Sequence, residues 1–223
     1  MNNILIDSII NYNKEGTYKI SLNKDTTINI EEENIKLFII TFENITINFN
    51  ILNSTTIYNM STKNTTININ LFNKSNLDFY NIITTNEKIT NTINVYHKDK
   101  ETKSNIISRG ISYGKGYLSF IINGYIKKGI TSSVCNQVSR IINLDKGKSS
   151  IKPNLYIEEF GSIANHSAYQ GPFDEKTLFY LETKGIKKQE AFKLLLNGFL
   201  KMIELPKDYE MIIEENLEKV IRR

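Results

Sequence analysis

Few side chains in this 223-residue chain are equipped for chemistry: two histidines, His97 and His166, and a single cysteine, Cys135. One thiol excludes an internal disulfide framework and fits a reducing compartment, which argues against secretion. The adjacent carboxylates Glu158 and Glu159 offer the kind of pair that polysaccharide-cleaving β-helices use, a chemistry that needs an export route. There is no Gly-x-x-x-x-Gly-Lys-Ser/Thr loop to cradle phosphates, no Gly-x-Ser-x-Gly elbow and no His-Glu-x-x-His. ATP hydrolysis and the familiar hydrolase chemistries are therefore not expected of this chain. His97, in the run Asn94-Val95-Tyr96-His97, is expected at the surface. His166 stands at the head of NHSAYQGPFDEKTLFYLETKG, residues 165–185, where the wording of the sequence changes abruptly.

Upstream of that change the apolar pattern has period two. Thr-Ile-Asn-Ile at 27–30, Ile45-Thr46-Ile47-Asn48-Phe49 and Thr66-Ile67-Asn68-Ile69-Asn70-Leu71 read as half-buried strands. Similar runs lie at 77–83, 92–97, 104–108, 117–122, 138–144 and 154–158, with no helical segment between them. Strands spaced by roughly 10–13 residues are too close for βαβ units, which leaves a sandwich, a barrel or a parallel β-helix. Tight Asn-Gly hairpin signals are nearly absent and the corners are written in Asn, Lys, Ser and Glu, which favours the β-helix.

After Gln170 the period becomes helical. Asp174 suits an N-cap, Leu178, Phe179 and Leu181 follow at helical spacing, and Gly185 suits a stop. A second helix is predicted from Lys187 to about Leu205, with Phe192, Leu195, Leu196, Phe199 and Ile203 on one face and Pro206 ending it. A third is predicted from about Lys207 onward, carrying Tyr209, Ile213, Leu217 and Ile221. The expected domains are a β-domain over 1–170 and a helical domain over 171–223. Three short helices cannot bury their apolar faces alone, so part of that surface packs on the β-domain or on a partner.

The basic and acidic residues, 28 and 24, are intermixed and leave a formal charge of +4, which argues against nucleic acid as the main partner. No window approaches the ~18 apolar residues of a membrane span, and the N-terminus lacks the flank and core of a signal peptide. A cytoplasmic location is expected. Asn-x-Ser/Thr triplets at Asn44, Asn53 and Asn64 carry no weight in a chain this rich in Asn and Thr.

One block of residues resembles a known family. Lys152-Pro153-Asn154-Leu155-Tyr156-Ile157, then Asn165-His166-Ser167-Ala168, Gly171, Asp174-Glu175, Leu178-Phe179-Tyr180-Leu181 and Lys184-Gly185-Ile186 look like the core of the SufB/SufD scaffold proteins of the SUF iron–sulfur cluster assembly system. The likeness extends back through Ser108-Arg109-Gly110-Ile111, Asn123-Gly124, Lys128-Gly129 and Arg140 to Leu144, and forward through Glu190-Ala191 and Asn197-Gly198-Phe199. It departs from the family at Ser167, where Gly or Glu is usual, and at Lys184, where Arg is usual. SufB-like sequences carry a cysteine aligned with Arg140, so the chain looks more like SufD; it is shorter than typical members, and their N-terminal helical region is not expected in it.

The resemblance implies a right-handed parallel β-helix followed by a small α-helical domain. It implies a scaffold subunit, not an enzyme, that pairs with a SufB-like subunit, or with a second copy, through the β-helix. It implies that the helical domain docks a SufC-like ABC ATPase, so that ATP is used only by the partner. Iron–sulfur clusters are held by thiolates, typically four, with histidine an occasional substitute. With one cysteine, any cluster is transient and shared across an interface, and no cofactor is tightly bound. His166 matches the family's histidine and is the candidate ligand, with Cys135 a second candidate; a structural histidine and a small buried apolar residue are the competing readings. Leu178, Phe179, Tyr180, Leu181, Phe192, Leu195 and Phe199 are the candidate ATPase-docking residues; clamping the helices to the β-helix is the competing reading. Two further readings are a β-helical carbohydrate-active enzyme and a structural β-solenoid.

Overall fold

The computed structural model describes residues 9–172, 175–201 and 206–221. Within them the chain forms strands β1 (Ile9–Tyr12), β2 (Gly16–Leu22), β3 (Thr26–Ile30), β4 (Ile35–Thr41), β5 (Ile45–Ile51), β6 (Thr55–Ser61), β7 (Thr65–Leu71), β8 (Asn76–Thr85), β9 (Lys88–His97), β10 (Lys103–Ser112), β11 (Tyr117–Ile126), β12 (Val134–Asn143), β13 (Lys148–Ile157) and β14 (Ile163–Gly171). Helices α1 (Glu175–Thr183), α2 (Lys188–Leu200) and α3 (Lys207–Ile221) follow. Odd and even strands separate into two seven-stranded sheets, ordered β1-β3-β5-β7-β9-β11-β13 and β14-β12-β10-β8-β6-β4-β2. Neighbours in each sheet are two strands apart in sequence and parallel, so every coil contributes one strand to each sheet. This is the parallel β-helix expected from the period-two pattern and the resemblance.

The period-two residues point inward and stack coil upon coil. Ile47, Ile67, Ile93 and Ile122 form one such ladder and are completely buried. Each buried isoleucine contributes about 1.5–3 kcal/mol through removal of apolar surface from water. The coils lengthen toward the C-terminus: stacked asparagines are 20 residues apart at Asn48 and Asn68, 26 at Asn68 and Asn94, and 31 at Asn123 and Asn154. Corners turn on residues in the left-handed region, including Asn34, Asn73, Lys74, Glu101, Ser132 and Asp145, in keeping with the corner composition read from the sequence. Gly116 is required for a different reason, since a Cβ there would stand 2.7 Å from the Thr85 carbonyl oxygen of the coil before it.

The two sheets differ on their outer faces. The odd-numbered sheet carries ladders of Asn and Thr in which each Asn amide donates to the preceding coil: Asn68 to Asn48, Asn94 to Asn68, Asn123 to Asn94 and Asn154 to Asn123, at 2.7–2.9 Å. Beside them Tyr96, Tyr125 and Tyr156 stack with ring centroids 4.7 and 4.8 Å apart. The outer face of the even-numbered sheet is apolar, with Phe38, Ile40, Tyr58, Met60, Ile82, Ile111 and Ile142, and Leu196, Phe199, Leu200, Tyr209, Ile213 and Leu217 of α2 and α3 cover it. Burial on both faces explains why β4 reads Leu-Phe-Ile-Ile instead of alternating.

His97 is not at the surface. It shares the inward parity of Ile93 and Val95, is 3% exposed, and is held by the hydroxyls of Thr102 (Nδ1, 2.8 Å) and Ser104 (Nε2, 3.0 Å). The expectation failed because a polar residue at a buried parity was read by its type instead of its register. α1 ends before Gly185, whose φ of +85° lets its N–H reach the Glu182 carbonyl, as expected of a helix stop. α2 begins at Lys188, one residue later than predicted, and the proposed cap Asp174 and the residue Ile203 lie outside the described residues. Among the described residues, no helix is long and apolar enough to cross a membrane.

Candidate functional site

The site is built at the open C-terminal end of the β-helix, where β13 and β14 are the last strands of their sheets. A strand in a parallel sheet directs the N–H and C=O of alternate residues to alternate neighbours. The Ile163 N–H donates to the Ser133 carbonyl, so the odd residues of β14 bond β12. The even residues, Ala164, His166, Ala168 and Gln170, turn their backbone groups to the open edge. The N–H groups of Lys148, at the start of β13, and of Glu158, just after its end, reach the carbonyls of Gly116 and Ile126 on the β11 side, so Pro153 falls among the residues facing outward. Its missing N–H interrupts that edge without breaking the ladder inside, the position proline tolerates in a sheet. Of the two open edges only that of β14 carries a complete set of donors, and His166 lies near its middle.

His166 is exposed and sits in register one coil above Gln137. Gln137 points inward and is 1% exposed; its Nε2 donates to the Asn154 carbonyl at 3.3 Å, while its Oε1 is buried without a hydrogen-bond partner. Two residues earlier, Cys135 lies completely buried beneath Ala164 and in register with Ser104 of the coil below. Burial raises its pKa, an effect that hydrogen bonds with Ser104 and Gln137 oppose. Cys135 is thereby held as a thiol inside the helix, so a ligand role for it requires the last coil to open. His166 and Cys135 thus lie on the same inward-facing side of consecutive coils, one exposed and one enclosed. Gln137, between them, carried no motif in the sequence; only the stacking register locates it.

The seven docking candidates divide by burial. Phe179 and Tyr180 of α1 are 67% and 58% exposed, and α1 buries no residue. Leu178, Leu181, Phe192 and Leu195 are half-buried, and Phe192 packs against the apolar layer beneath α2. Phe199 is buried in that layer, with the guanidinium groups of Arg109 and Arg140 over its ring at 5.2 and 5.6 Å. Val138, Tyr156, Phe160, Ile163 and Tyr169 are also exposed, so large apolar side chains left in water concentrate around the open end and α1.

Residues 20–199 match the model of the SufBD core domain of SUF-system iron–sulfur cluster assembly, and they include β3 to β14, the end of β2, the open end, α1 and most of α2. The chain belongs to the SufBD family. Among its relatives is a SufBD family protein, ycf24, of Galdieria sulphuraria, 32% identical over 146 residues that make up 62% of this chain and 65% of that one. The cluster assembly protein SufD of Bacillus subtilis is 33% identical over 137 residues, 59% of this chain but 30% of SufD. A Synechocystis SufBD family protein, slr0074, is 29% identical over 139 residues, 28% of its length. The matched stretch therefore spans less than two thirds of each of these relatives. Among the described residues of this SufBD chain, no three of His, Cys, Asp and Glu converge on one point.

Proposed function

We propose that this SufBD-family chain is a SufD-like scaffold subunit of a cytoplasmic SUF assembly complex, without catalytic activity of its own. It pairs through the open edge of β14 with a SufB-like subunit, which supplies the thiolates that this chain lacks. The cluster is cargo, built transiently at the shared edge with His166 as this chain's ligand, and no cofactor is tightly bound. A SufC-like ATPase docks on the exposed face of α1, centred on Phe179 and Tyr180, and ATP enters only through it. The observation that carries the reading is the exposed His166 near the middle of β14, the uninterrupted one of the two edge strands at the C-terminal end of the β-helix.

The reading as a β-helical carbohydrate-active enzyme loses its carboxylate pair. Glu159 accepts hydrogen bonds from the Gly129 N–H (2.8 Å) and the Gly161 N–H (3.1 Å), which hold its pKa below the usual carboxylate range. It clamps two corners together and is not suited to proton donation.

The test is purification of the tagged full-length protein from its own cells, with and without His166→Ala. Recovery of a SufB-like chain and an ABC ATPase with both forms, and loss of cluster assembly only with His166→Ala, is the expected result. Recovery of neither partner from cells that express both would overturn the assignment.

A further inference from the structure

Arg109 and Arg140 occupy the same register on neighbouring strands β10 and β12, on the outer face where α2 ends. Strands lie about 4.8 Å apart, so two side chains of like charge rise side by side from the sheet. Both guanidiniums lie over Phe199, and Arg140 also lies 4.8 Å from the ring centre of Tyr169, its register partner on β14. Burial, together with the charge of Arg140, lowers the Arg109 pKa. Phe199 and Tyr169 both lie against the Arg140 guanidinium, which directs its hydrogen-bonding capacity to the in-plane edges. There the Nε–H is buried without an acceptor, and among the described residues no carboxylate stands within ion-pair distance of Arg140.

The nearby C-terminal end of α2 offers at most roughly half a negative charge, less than the single full charge of Arg140 alone. A buried, unmatched N–H donor on a cation is among the more costly arrangements a fold can keep. The in-plane edge of a guanidinium fits an oxyanion through two parallel hydrogen bonds, the fork geometry that matches phosphate.

We propose that Arg140, with Arg109 beside it, forms a binding site for a phosphate-class oxyanion at the seam between the β-helix and α2. The site is separate from the open edge of β14 and does not depend on the scaffold reading. Tyr169, 46% exposed on the last strand, borders the site, and its hydroxyl donates to the Pro172 carbonyl at 3.2 Å.

The experiment measures the melting temperature of the full chain during titration with inorganic phosphate, with chloride and acetate at matched ionic strength, and the phosphorus NMR linewidth in parallel. Wild type is expected to show a saturable rise reaching roughly 5 °C and a broadened phosphorus line, and Arg140→Gln to lose both. The control Lys146→Gln, an exposed cation elsewhere, is expected to keep both. Phosphate also stabilises proteins generally by exclusion from their surfaces, but that effect does not saturate and leaves the phosphorus line narrow. If Arg140 serves only to stack between two rings, Arg140→Gln lowers the starting temperature and leaves the phosphate response intact, which overturns the proposal. Equal saturation by acetate would overturn the phosphate class.

Discussion

The sulfur of Cys135 occupies the space that a side chain on Gly124 would need: a Cβ built on Gly124 stands 2.5 Å from Cys135 Sγ. The two residues lie on opposite sheets and fill one cross-section of the β-helix between them. Gly124→Ala is therefore expected to destabilise the fold by about 1–3 kcal/mol through overpacking. Cys135→Ala alone is expected to cost about 1–2 kcal/mol through a small cavity. The double variant should cost clearly less than the two together, and a double-mutant cycle by urea denaturation measures the difference. Simple addition would place the two residues out of contact.

His97 makes stability depend on pH. Its pKa is pushed down to about 4 by burial, only partly offset by the hydrogen bond with Thr102, against about 6.5 in an unfolded chain. Between those values the unfolded state binds a proton that the folded state refuses, so stability falls as pH drops from about 6.5 toward 4. The loss is at most about 3 kcal/mol, and His97→Gln should flatten that part of the stability-versus-pH curve. An unchanged slope in the variant would assign the effect to other groups.

The docking candidates separate into two stability classes. Phe199→Ala removes a buried ring from the layer under α2 and is expected to cost about 3–5 kcal/mol. Phe179→Ser and Tyr180→Ser change exposed side chains and should stay within about 0.5 kcal/mol of wild type. Under the proposed function, the α1 pair should instead lose capture of the ATPase at unchanged melting temperature. Binding measured by surface plasmon resonance beside thermal denaturation separates the two effects.

The asparagine ladder gives a fourth prediction. Asn94 donates to Asn68 and accepts from Asn123, so Asn94→Ala breaks two bonds at once and leaves both neighbours half-satisfied. A loss of about 1–2 kcal/mol is expected, read as a lowered urea midpoint. A neutral result would mean that water replaces the ladder without cost.

Pro153 supplies the last. Pro153→Thr restores an N–H to the open edge of β13 while keeping a residue suited to strands, so the variant is expected to self-associate more readily. Sedimentation velocity at several protein concentrations tests this, and an unchanged distribution would remove proline from the account of the edge.

Most of the strands, the β-helix and the three helices were legible in the sequence because their cause is periodic, whereas β4, β6 and β14 were not among the runs read from it. Alternating Ile and Thr can bury one face only as a strand, and Leu178, Phe179 and Leu181 or Phe192, Leu195 and Phe199 share a face only on a helix. The order of residues from Pro153 to Ile186 was likewise enough to point to the SufBD family. What the sequence could not express was the stacking offset. That offset grows from 20 to 31 residues along the chain, so no fixed repeat announces which residues meet. Only the folded coils place Gln137 under His166, enclose Cys135 below Ala164, turn His97 inward and set Arg109 beside Arg140. Parity along one strand is local and can be read from residue types, whereas register between strands is settled by how each corner closes, a property of the packed structure.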